Sequence, residues 1–368
     1  MTGCMTARRV VRLPGPFTLR HGGVLPQVDI VYETWGELAP ARDNVVLLCT
    51  GLSPGSHARS SAADPSPGWW EEMVGPGQAI DTDRFHVVCM NSLGSCHGST
   101  GAASADPRTG RRYRMTFPVL TIEDIAAASR EALRALGLER LRAVVGPSLG
   151  GMTSLAYALL FPDEVGSLVT ISGATRATPF ATAVRSLQRE AIRTDPGWKG
   201  GEYADDAPPV NGLRLARKLG LITYRSAREW RQRFGRERVE VRDPRGDPFG
   251  IEFEVEAYLE QHARAFVGTF DANCYLYLSR AMDLFDVAEH GGSVEAGLAR
   301  VRAAQTLVVG VETDFLFPLD QQEEIAALLR KAGRTVRFEA LASIQGHDSF
   351  LVDMDRFCPV MGDFLGGI

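Results

Sequence analysis

Ser148 is the residue of this chain whose type and surroundings are best suited to covalent chemistry. It is the serine of Gly146-Pro147-Ser148-Leu149-Gly150, a G-x-S-x-G pattern between the mainly apolar run 142–145 and a helix-compatible segment at residues 151–161. A sharp strand-to-helix turn of this kind exposes a serine hydroxyl as a nucleophile, and its glycines let strand and helix pack closely. The helix N-terminus would stabilise a developing oxyanion. A glycine-rich loop that merely contains a serine is the alternative.

A serine nucleophile needs a base to take its proton and an acid to orient that base. Asp314 follows a strand-like run, and His347 is the only histidine after it in the chain. Glu312 and Asp348 could also serve as the acid, but a position at the carboxyl end of a strand favours Asp314. The chain order serine, acid, histidine is that of α/β-hydrolases. We therefore predict a catalytic triad of Ser148, Asp314 and His347.

Acyl transfer also needs N–H donors for the oxyanion that forms on the substrate. The amide of Leu149, directly after the serine, is the first expected donor. The loop that follows an early strand, residues 50–55 here, is the expected source of the second, and we assign it to the amide of Leu52. A simple turn is the alternative, because Pro-Gly pairs are common in turns.

Strand-like and helix-like segments alternate along most of the chain and would position these residues. The strand-like runs are residues 28–32, 45–49, 86–90, 143–145, 168–171, 306–309 and 336–338. Helical patterns occur at residues 122–136 and 321–332, and Gly333 follows the second as a C-cap would. Several strand-like runs are apolar at consecutive positions, which is typical of parallel strands covered on both faces. The alternation predicts an α/β fold with a mostly parallel sheet.

The middle of the chain has a different character. Residues 178–299 are helix-forming, rich in Arg, Glu and Leu, and show no convincing strand alternation. Strand-like runs resume afterwards and supply the predicted acid and base. We therefore predict an α/β-hydrolase core of residues 1–177 and 300–368, with residues 178–299 inserted as a helical lid over the catalytic face. A separate helical domain is the alternative.

Composition narrows the class of protein. The chain has 368 residues, 45% hydrophobic and 23% charged, so it can bury a large core. A net charge of −5 gives no electrostatic reason to expect nucleic-acid binding. We expect neither a membrane span nor a signal peptide, and therefore a cytoplasmic protein. The cysteines form no C-x-x-C pair and the histidines no metal-binding spacing, so we expect no metal.

Further stretches carry a family resemblance. They are residues 68–70, 74–77, 81–85, 98–101, 188–192, 270–273 and 346–348. In collinear order over residues 31–351, the chain resembles the homoserine O-acetyltransferase family, α/β-hydrolase-fold acyltransferases of methionine and cysteine biosynthesis. The resemblance implies a ping-pong reaction in which Ser148 accepts an acyl group from acyl-CoA, with His347 as base, and an amino-acid hydroxyl then takes it. Acyl-CoA is thus a co-substrate, and no bound cofactor is implied.

The resemblance also implies residues that bind the amino acid. Arg217 would hold the carboxylate, a task suited to a bidentate guanidinium. Tyr224 and Asp348 would contact polar groups, with Asp348 at the ammonium. Apart from the resemblance, Arg217 would be interpreted as an exposed helix charge and Tyr224 as a core aromatic. The family further implies a homodimer formed through the lid helices.

Two departures from the family pattern concern the acceptor. Members that make O-acetylhomoserine usually have His-Ala-Leu-Thr-Gly at the position of residues 50–54 of this chain. Around the catalytic serine they usually have Gly-Gly-Ser-Met-Gly, whereas this chain has Pro147 and Leu149 on either side of Ser148. The loop resembles that of the branch that acylates L-serine, which is one methylene shorter than L-homoserine, a difference of about 1–3 kcal/mol in an apolar pocket. The predicted acceptor-specificity loop consists of Leu52, Ser53, Pro54 and Gly55.

A third departure concerns the acyl group. Arg185 lies one helical turn before Arg189, where acetyl-using relatives tend to have an uncharged residue. A guanidinium facing the acyl pocket would pair with the distal carboxylate of succinyl-CoA, whereas a solvent-facing arginine is the alternative. Together the departures favour transfer of a succinyl group to L-serine. The alternatives are acetyl or succinyl transfer to L-homoserine, and hydrolysis by an esterase or thioesterase. A non-catalytic binding protein would not need an intact triad.

Overall fold

A large sheet forms the centre of the molecule in this computed structural model, which describes residues 7–240 and 247–368. Within the described residues it has eight strands in the order β1-β4-β8-β5-β9-β10-β11-β12. The strands of the molecule are β1 (Arg9–Arg12), β2 (Phe17–Thr18), β3 (Val24–Leu25), β4 (Asp29–Trp35), β5 (Val45–Cys49), β6 (Val74–Gly75), β7 (Ile80–Asp81), β8 (His86–Met90), β9 (Leu141–Pro147), β10 (Val165–Ile171), β11 (Gln305–Val311) and β12 (Thr335–Leu341).

The sheet is parallel from β8 to β12 and antiparallel only where β4 joins β1 and β8. All five residues of β5 are buried, as the consecutive apolar pattern predicts for a strand covered on both faces. Its residues alternate between two hydrophobic clusters, with Val45 and Leu47 in one and Val46 and Leu48 in the other. The prediction of an α/β fold with a mostly parallel sheet is confirmed.

Helices cover both faces of the sheet and fill the middle of the chain. They are α1 (Ile122–Ala135), α2 (Leu149–Leu160), α3 (Pro179–Thr194), α4 (Val210–Tyr224), α5 (Ala227–Phe234), α6 (Glu254–Val267), α7 (Ala272–Leu284), α8 (Val294–Leu298), α9 (Leu319–Lys331), α10 (Ser349–Val352) and α11 (Met354–Gly366). Helices α1, α2 and α9 supply the first cluster, whereas α11 supplies the second. None of the helices in the described ranges has the length and apolar character needed to cross a membrane.

The described part of residues 178–299 contains helices α3 to α8 and no strand beyond isolated bridges. Helix α3 packs against α4 and α7, and α4 packs against α6. The division into core and lid remains a prediction, with which this helical character agrees. The sequence patterns do not predict the short strands β2, β3, β6 and β7, because a strand of two residues has no periodicity to detect.

Candidate active site

Ser148 lies at a strained turn between the end of β9 and the start of α2. Its backbone angles, φ 57° and ψ −122°, are unusual for a residue with a side chain. Such a conformation costs on the order of 1–3 kcal/mol and persists only where the surrounding structure imposes it. The strain is the expected property of a turn that presents a serine hydroxyl at the end of a strand.

The two glycines of the pattern are required by close backbone contacts. A Cβ atom at Gly146 would lie 2.0 Å from the carbonyl oxygen of Gly150. A Cβ atom at Gly150 would lie 2.2 Å from the carbonyl oxygen of Cys49, at the end of β5. Neither position can hold a side chain without moving backbone, so the serine turn is built on β9, α2 and β5 together.

His347 lies between Ser148 and Asp314. Its Nε2 is 2.7 Å from Ser148 Oγ, and its Nδ1 is 2.7 Å from Asp314 Oδ2. The side chains of His347 and Asp314 are only 4% and 0% exposed. A carboxylate at Nδ1 keeps the proton on that nitrogen, so Nε2 is free to accept the serine proton. The geometry is therefore that of a nucleophile, a general base and an orienting acid.

Asp314 and His347 are themselves held in place. The amides of Leu316 and Phe317 donate to Asp314 Oδ1 at 3.0 and 2.9 Å, which leaves Oδ2 for the histidine. The ring of Phe317 stacks on His347 with centroids 4.8 Å apart and planes at 15°. These contacts follow from the short loops after β11 and β12, since both loops end at the same edge of the parallel sheet.

The predicted oxyanion donors lie beside the serine. Leu149 is the first residue of α2, where backbone N–H groups have no partner inside the helix. Leu52 and Ser148 line the same cavity. The amide of Leu52 donates no hydrogen bond to any residue in the described ranges. Both amides are thus available for a substrate oxygen, although their role stays a prediction.

The cavity above Ser148 contains about 720 Å³ of empty space, including the part open to solvent. Its wall from the core consists of Gly51, Leu52, Ser53, Pro54, Trp69, Pro147, Ser148, Leu316, Phe317, His347, Asp348, Phe350 and Leu351. Its wall from the helical segment consists of Val184, Arg185, Gln188, Thr223, Tyr224, Tyr275 and Met282. The helical segment therefore encloses the space above the serine hydroxyl.

The predicted acceptor-specificity loop forms part of the core wall. Leu52, Ser53 and Pro54 line the cavity, whereas Gly55 does not. Two ring nitrogens donate hydrogen bonds to the backbone of this loop. Trp69 Nε1 donates to the carbonyl of Gly55 at 3.1 Å, and His97 Nε2 donates to the carbonyl of Ser53 at 3.0 Å. Because these bonds are made to backbone, they fix the shape of the loop irrespective of its side chains.

The three predicted contacts to the amino acid do not all reach the cavity. Tyr224 and Asp348 line it, but Arg217 does not. The guanidinium carbon of Arg217 lies 5.7 Å from the ring centroid of Tyr224 and 4.6 Å from that of Phe266. Its Nε is buried and has no hydrogen-bond partner among the described residues. Arg217 is therefore a half-buried cation behind Tyr224, so its interpretation as an exposed helix charge is wrong.

Asp348 has a neighbour that the sequence reasoning missed. Arg225 Nε lies 3.2 Å from Asp348 Oδ2, and Arg225 Nη1 donates to Gln345 Oε1 at 2.7 Å. Burial raises the pKa of the Asp348 carboxyl, and the Arg225 charge opposes that rise. In the sequence, Arg225 is distinguished only by its position directly after Tyr224, a predicted contact to the amino acid.

Arg185 faces the cavity and not the solvent. The residue is 5% exposed, and its Nε donates to Asp283 Oδ1 at 2.6 Å. The alternative of a solvent-facing arginine is therefore wrong. The other carboxylate oxygen of Asp283 lies 2.6 Å from Arg189 Nη2. Two guanidinium groups thus share one carboxylate, which leaves a surplus positive charge at the helical wall.

The chemistry available to this site is acyl transfer through a serine ester. Among residues 7–240 and 247–368, no group of three or more His, Cys, Asp and Glu side chains is arranged to hold a metal ion. The site combines a serine with a base and an acid, and it has charged groups at opposite walls. Those charged groups suit a substrate that itself carries charges. A pocket for an uncharged, apolar ester would not require them.

Comparisons with known proteins agree with this description. A family model described as alpha/beta hydrolase fold matches residues 44–352. The serine O-succinyltransferase of Litchfieldella anticariensis is 58% identical over 360 residues, which covers 98% of both chains. That of Stenotrophomonas maltophilia is 57% identical over 357 residues, which covers 97% of this chain and 96% of the relative.

Solved structures with the same fold include a transferase and a hydrolase. The homoserine O-acetyltransferase of Bacillus anthracis has a TM-score of 0.89 and 31% identity, with 98% of both chains covered. Esterase E22 has a TM-score of 0.88 and 30% identity, with 97% of this chain and 99% of that chain covered. The fold alone therefore does not separate transfer to an amino acid from hydrolysis.

The fold and the serine turn define the class as α/β-hydrolase-fold enzymes. Within that class, the chain belongs to the family of amino-acid O-acyltransferases that includes these serine O-succinyltransferases and homoserine O-acetyltransferases. The protein is thus an acyltransferase, and the predicted fold class and family resemblance are confirmed.

Proposed function

We propose that this enzyme transfers the succinyl group of succinyl-CoA to the hydroxyl of L-serine in the cytoplasm, as a step of cysteine biosynthesis. The observation that carries the proposal is the buried Arg185 in the same cavity as Ser148. The relatives named serine O-succinyltransferase, at 57–58% identity over nearly the whole chain, support it.

In the first half-reaction, Ser148 Oγ attacks the thioester carbonyl of succinyl-CoA and its proton passes to His347 Nε2. The amides of Leu149 and Leu52 stabilise the tetrahedral oxyanion. The carbon–sulfur bond then breaks, the departing CoA sulfur takes the proton from His347, and a succinyl ester remains on Ser148. Asp314 stabilises the imidazolium while it exists.

In the second half-reaction, the L-serine hydroxyl occupies the place that CoA has left. His347 removes the hydroxyl proton, and the serine oxygen attacks the ester carbonyl of the succinyl-enzyme. The bond to Ser148 Oγ breaks, Ser148 regains its proton from His347, and O-succinyl-L-serine leaves. Transfer prevails over hydrolysis because the helical wall encloses the ester and limits access of water.

The donor is selected by charge at the helical wall. Asp283 neutralises only one of the two guanidinium groups of Arg185 and Arg189, and an unbalanced charge is costly where it is buried. The distal carboxylate of a succinyl group would balance it, whereas an acetyl group has no charge to offer. This arrangement favours succinyl-CoA over acetyl-CoA.

The acceptor is selected at the other end of the cavity. Asp348 would bind the ammonium group of L-serine, and the charge of Arg225 beside it opposes the rise in the Asp348 pKa that burial causes. Arg217 does not line the cavity, so it would act on the carboxylate through its positive charge behind Tyr224 and not by direct contact. Tyr224 lies between Arg217 and the cavity and would contact the same carboxylate. The backbone-held loop at Leu52 would favour L-serine over L-homoserine, which is one methylene longer.

We also propose that the enzyme is a homodimer formed through the lid. Helices α3 and α4 expose large apolar side chains, which a second copy would cover. They are Phe180, Leu187, Val210, Leu215 and Ile222. Light scattering of the purified protein tests this, since a monomer mass at working concentration would contradict it.

The test of the proposed function is the release of CoA thiol by the purified enzyme. Acetyl-CoA and succinyl-CoA are each combined with L-serine, with L-homoserine and with no acceptor. We expect the fastest release with succinyl-CoA and L-serine. Preference for acetyl-CoA or for L-homoserine would overturn the substrate assignment, and equal release without an acceptor would make the enzyme a thioesterase.

A further inference from the structure

A buried carboxylate on α7 connects two arginines of α3. The Asp283 side chain is 2% exposed, and those of Arg185 and Arg189 are 6% and 14% exposed. Asp283 Oδ1 is 2.6 Å from Arg185 Nε, and Asp283 Oδ2 is 2.6 Å from Arg189 Nη2. Of the three, Arg185 alone lines the cavity that contains Ser148.

Arg185 is held by one edge of its guanidinium group. Its Nε donates to Asp283, and no other hydrogen bond of this side chain is made to the described residues. A guanidinium is planar, so a bond at Nε fixes the plane and the direction of both terminal nitrogens. These nitrogens therefore keep a fixed orientation and remain available for a ligand in the cavity.

Asp283 is itself prevented from turning. Arg189 engages its second oxygen, and Arg189 Nη1 donates to Ser279 Oγ at 2.9 Å, one turn earlier on α7. Each carboxylate oxygen is thus within ion-pair distance of a guanidinium of the neighbouring helix, with a hydrogen bond at Oδ1 and a charge contact alone at Oδ2. The orientation of Arg185 is consequently determined by the packing of α3 on α7 through this carboxylate.

We propose that Asp283 is a positioning residue that sets the preference for an acyl donor with a distal carboxylate. It is not part of the cavity wall and acts only through Arg185. This inference rests on the proposed succinyl donor. Without Asp283, the Arg185 side chain would be mobile and would lose conformational entropy when a donor binds it. This free-energy cost weakens only the binding of a donor that contacts the guanidinium, which is the succinyl donor.

The test compares succinyl-CoA with acetyl-CoA in Asp283→Asn, in Arg185→Met and in the double variant, with L-serine as acceptor. Asp283→Asn is expected to lower kcat/KM for succinyl-CoA by about tenfold and to change that for acetyl-CoA less than about threefold. In the Arg185→Met background, Asp283→Asn is expected to change the ratio of the two values less than about twofold.

Asp286→Asn is the matched control, because Asp286 follows α7 and bonds only the local amide of Ala288 among the described side-chain contacts. It is expected to leave the donor ratio unchanged. The inference would be overturned if Asp283→Asn lowered kcat/KM equally for both donors or raised it for succinyl-CoA. It would also be overturned if the ratio of succinyl-CoA to acetyl-CoA use fell further in the double variant than in Arg185→Met.

A second variant covers the case in which Asp283→Asn does not fold by circular dichroism. Asp283→Glu keeps the charge but moves the carboxylate by one methylene, so the donor ratio is expected to fall here too. An unchanged ratio in folded Asp283→Glu would overturn the inference. The proposed function is judged separately, on the wild-type enzyme, since a wild type that prefers acetyl-CoA refutes the succinyl donor whatever the variants do.

Discussion

The core wall and the helical wall of the cavity are built in different ways. On the core side, Ser148 is aimed by its own backbone, and backbone amides hold Asp314 through Leu316 and Phe317. On the helical side, the charged groups are the ends of long side chains. Their positions depend on ion pairs such as that between Arg185 and Asp283, which are 98 residues apart.

This difference separates the reaction from the choice of substrate. A serine turn fixed by backbone contacts can serve any acyl group, as the resemblance to both a transferase and an esterase structure indicates. Charges carried on long side chains can be changed by single substitutions without disturbing the sheet. We therefore expect changes in the serine turn and the triad to affect all substrates alike, and changes in the charged side chains of the helical wall, or in Asp348, to affect one substrate.

The largest effect is expected for Ser148→Ala. Removal of the nucleophile should lower CoA release by about 10³-fold or more with succinyl-CoA and acetyl-CoA alike, because both donors need the same ester. CoA-thiol release is the measurement. Ser186→Ala, on the exposed surface of α3, is the control and should retain wild-type rates. Substantial CoA release by folded Ser148→Ala would remove the serine from the proposed mechanism.

A change behind the core wall, at a residue that does not line the cavity, should act through stability. Gly150→Ala would place a Cβ atom 2.2 Å from the carbonyl of Cys49, so we expect the free energy of unfolding to fall by about 3 kcal/mol. Chemical denaturation measures it. Gly268→Ala is the control, since a Cβ atom there would have only an ordinary contact at 3.7 Å. Equal stability of the two variants would show that α2 and β5 are not held as closely as described.

A helical-wall change should distinguish the donors. Arg185→Ala is expected to lower kcat/KM for succinyl-CoA by about 10- to 100-fold and that for acetyl-CoA by less than about threefold, because only succinate loses an ionic partner. Arg193→Ala, two turns further along the exposed side of α3, is the matched control. If Arg185→Ala lowered the use of both donors equally, the division between the two walls would fail.

The smallest expected effect is on the pH profile for the acceptor. Burial raises the pKa of Asp348, so this carboxyl gains a proton as the pH falls while ordinary aspartates are still ionised. A protonated Asp348 cannot attract an ammonium group. The value of kcat/KM for L-serine should therefore fall on the acid side, with a limb that is absent from the profile for succinyl-CoA.

Asp348→Asn should remove this additional limb and lower kcat/KM for L-serine at neutral pH. The groups whose charges bear on Asp348 are Arg225, His347, Arg217 and Asp314. Since His347 acts in both half-reactions, it cannot account for a limb that is seen with one substrate only. Identical acid limbs for the two substrates would contradict an ammonium contact at Asp348.

The same difference explains how far the sequence could predict the site. The serine turn is a local pattern, and the order of the triad residues can be read along the chain. The elements β5, β8, β9 and α2 are found where the apolar runs and the glycine pattern predict them. Arg185 could be suspected only through the family resemblance. Asp283 and Arg225 could not be found, since their partners are set by helix packing, which no spacing in the chain encodes.

The most direct test of the account is the mass of the enzyme mixed with succinyl-CoA and no acceptor. We expect one succinyl group on the peptide that contains Ser148, stable to water and lost rapidly when L-serine is added, with O-succinyl-L-serine as product. L-homoserine should discharge it more slowly. Absence of the adduct in active enzyme would contradict an ester on Ser148, and loss to water as fast as to L-serine would contradict acyl transfer.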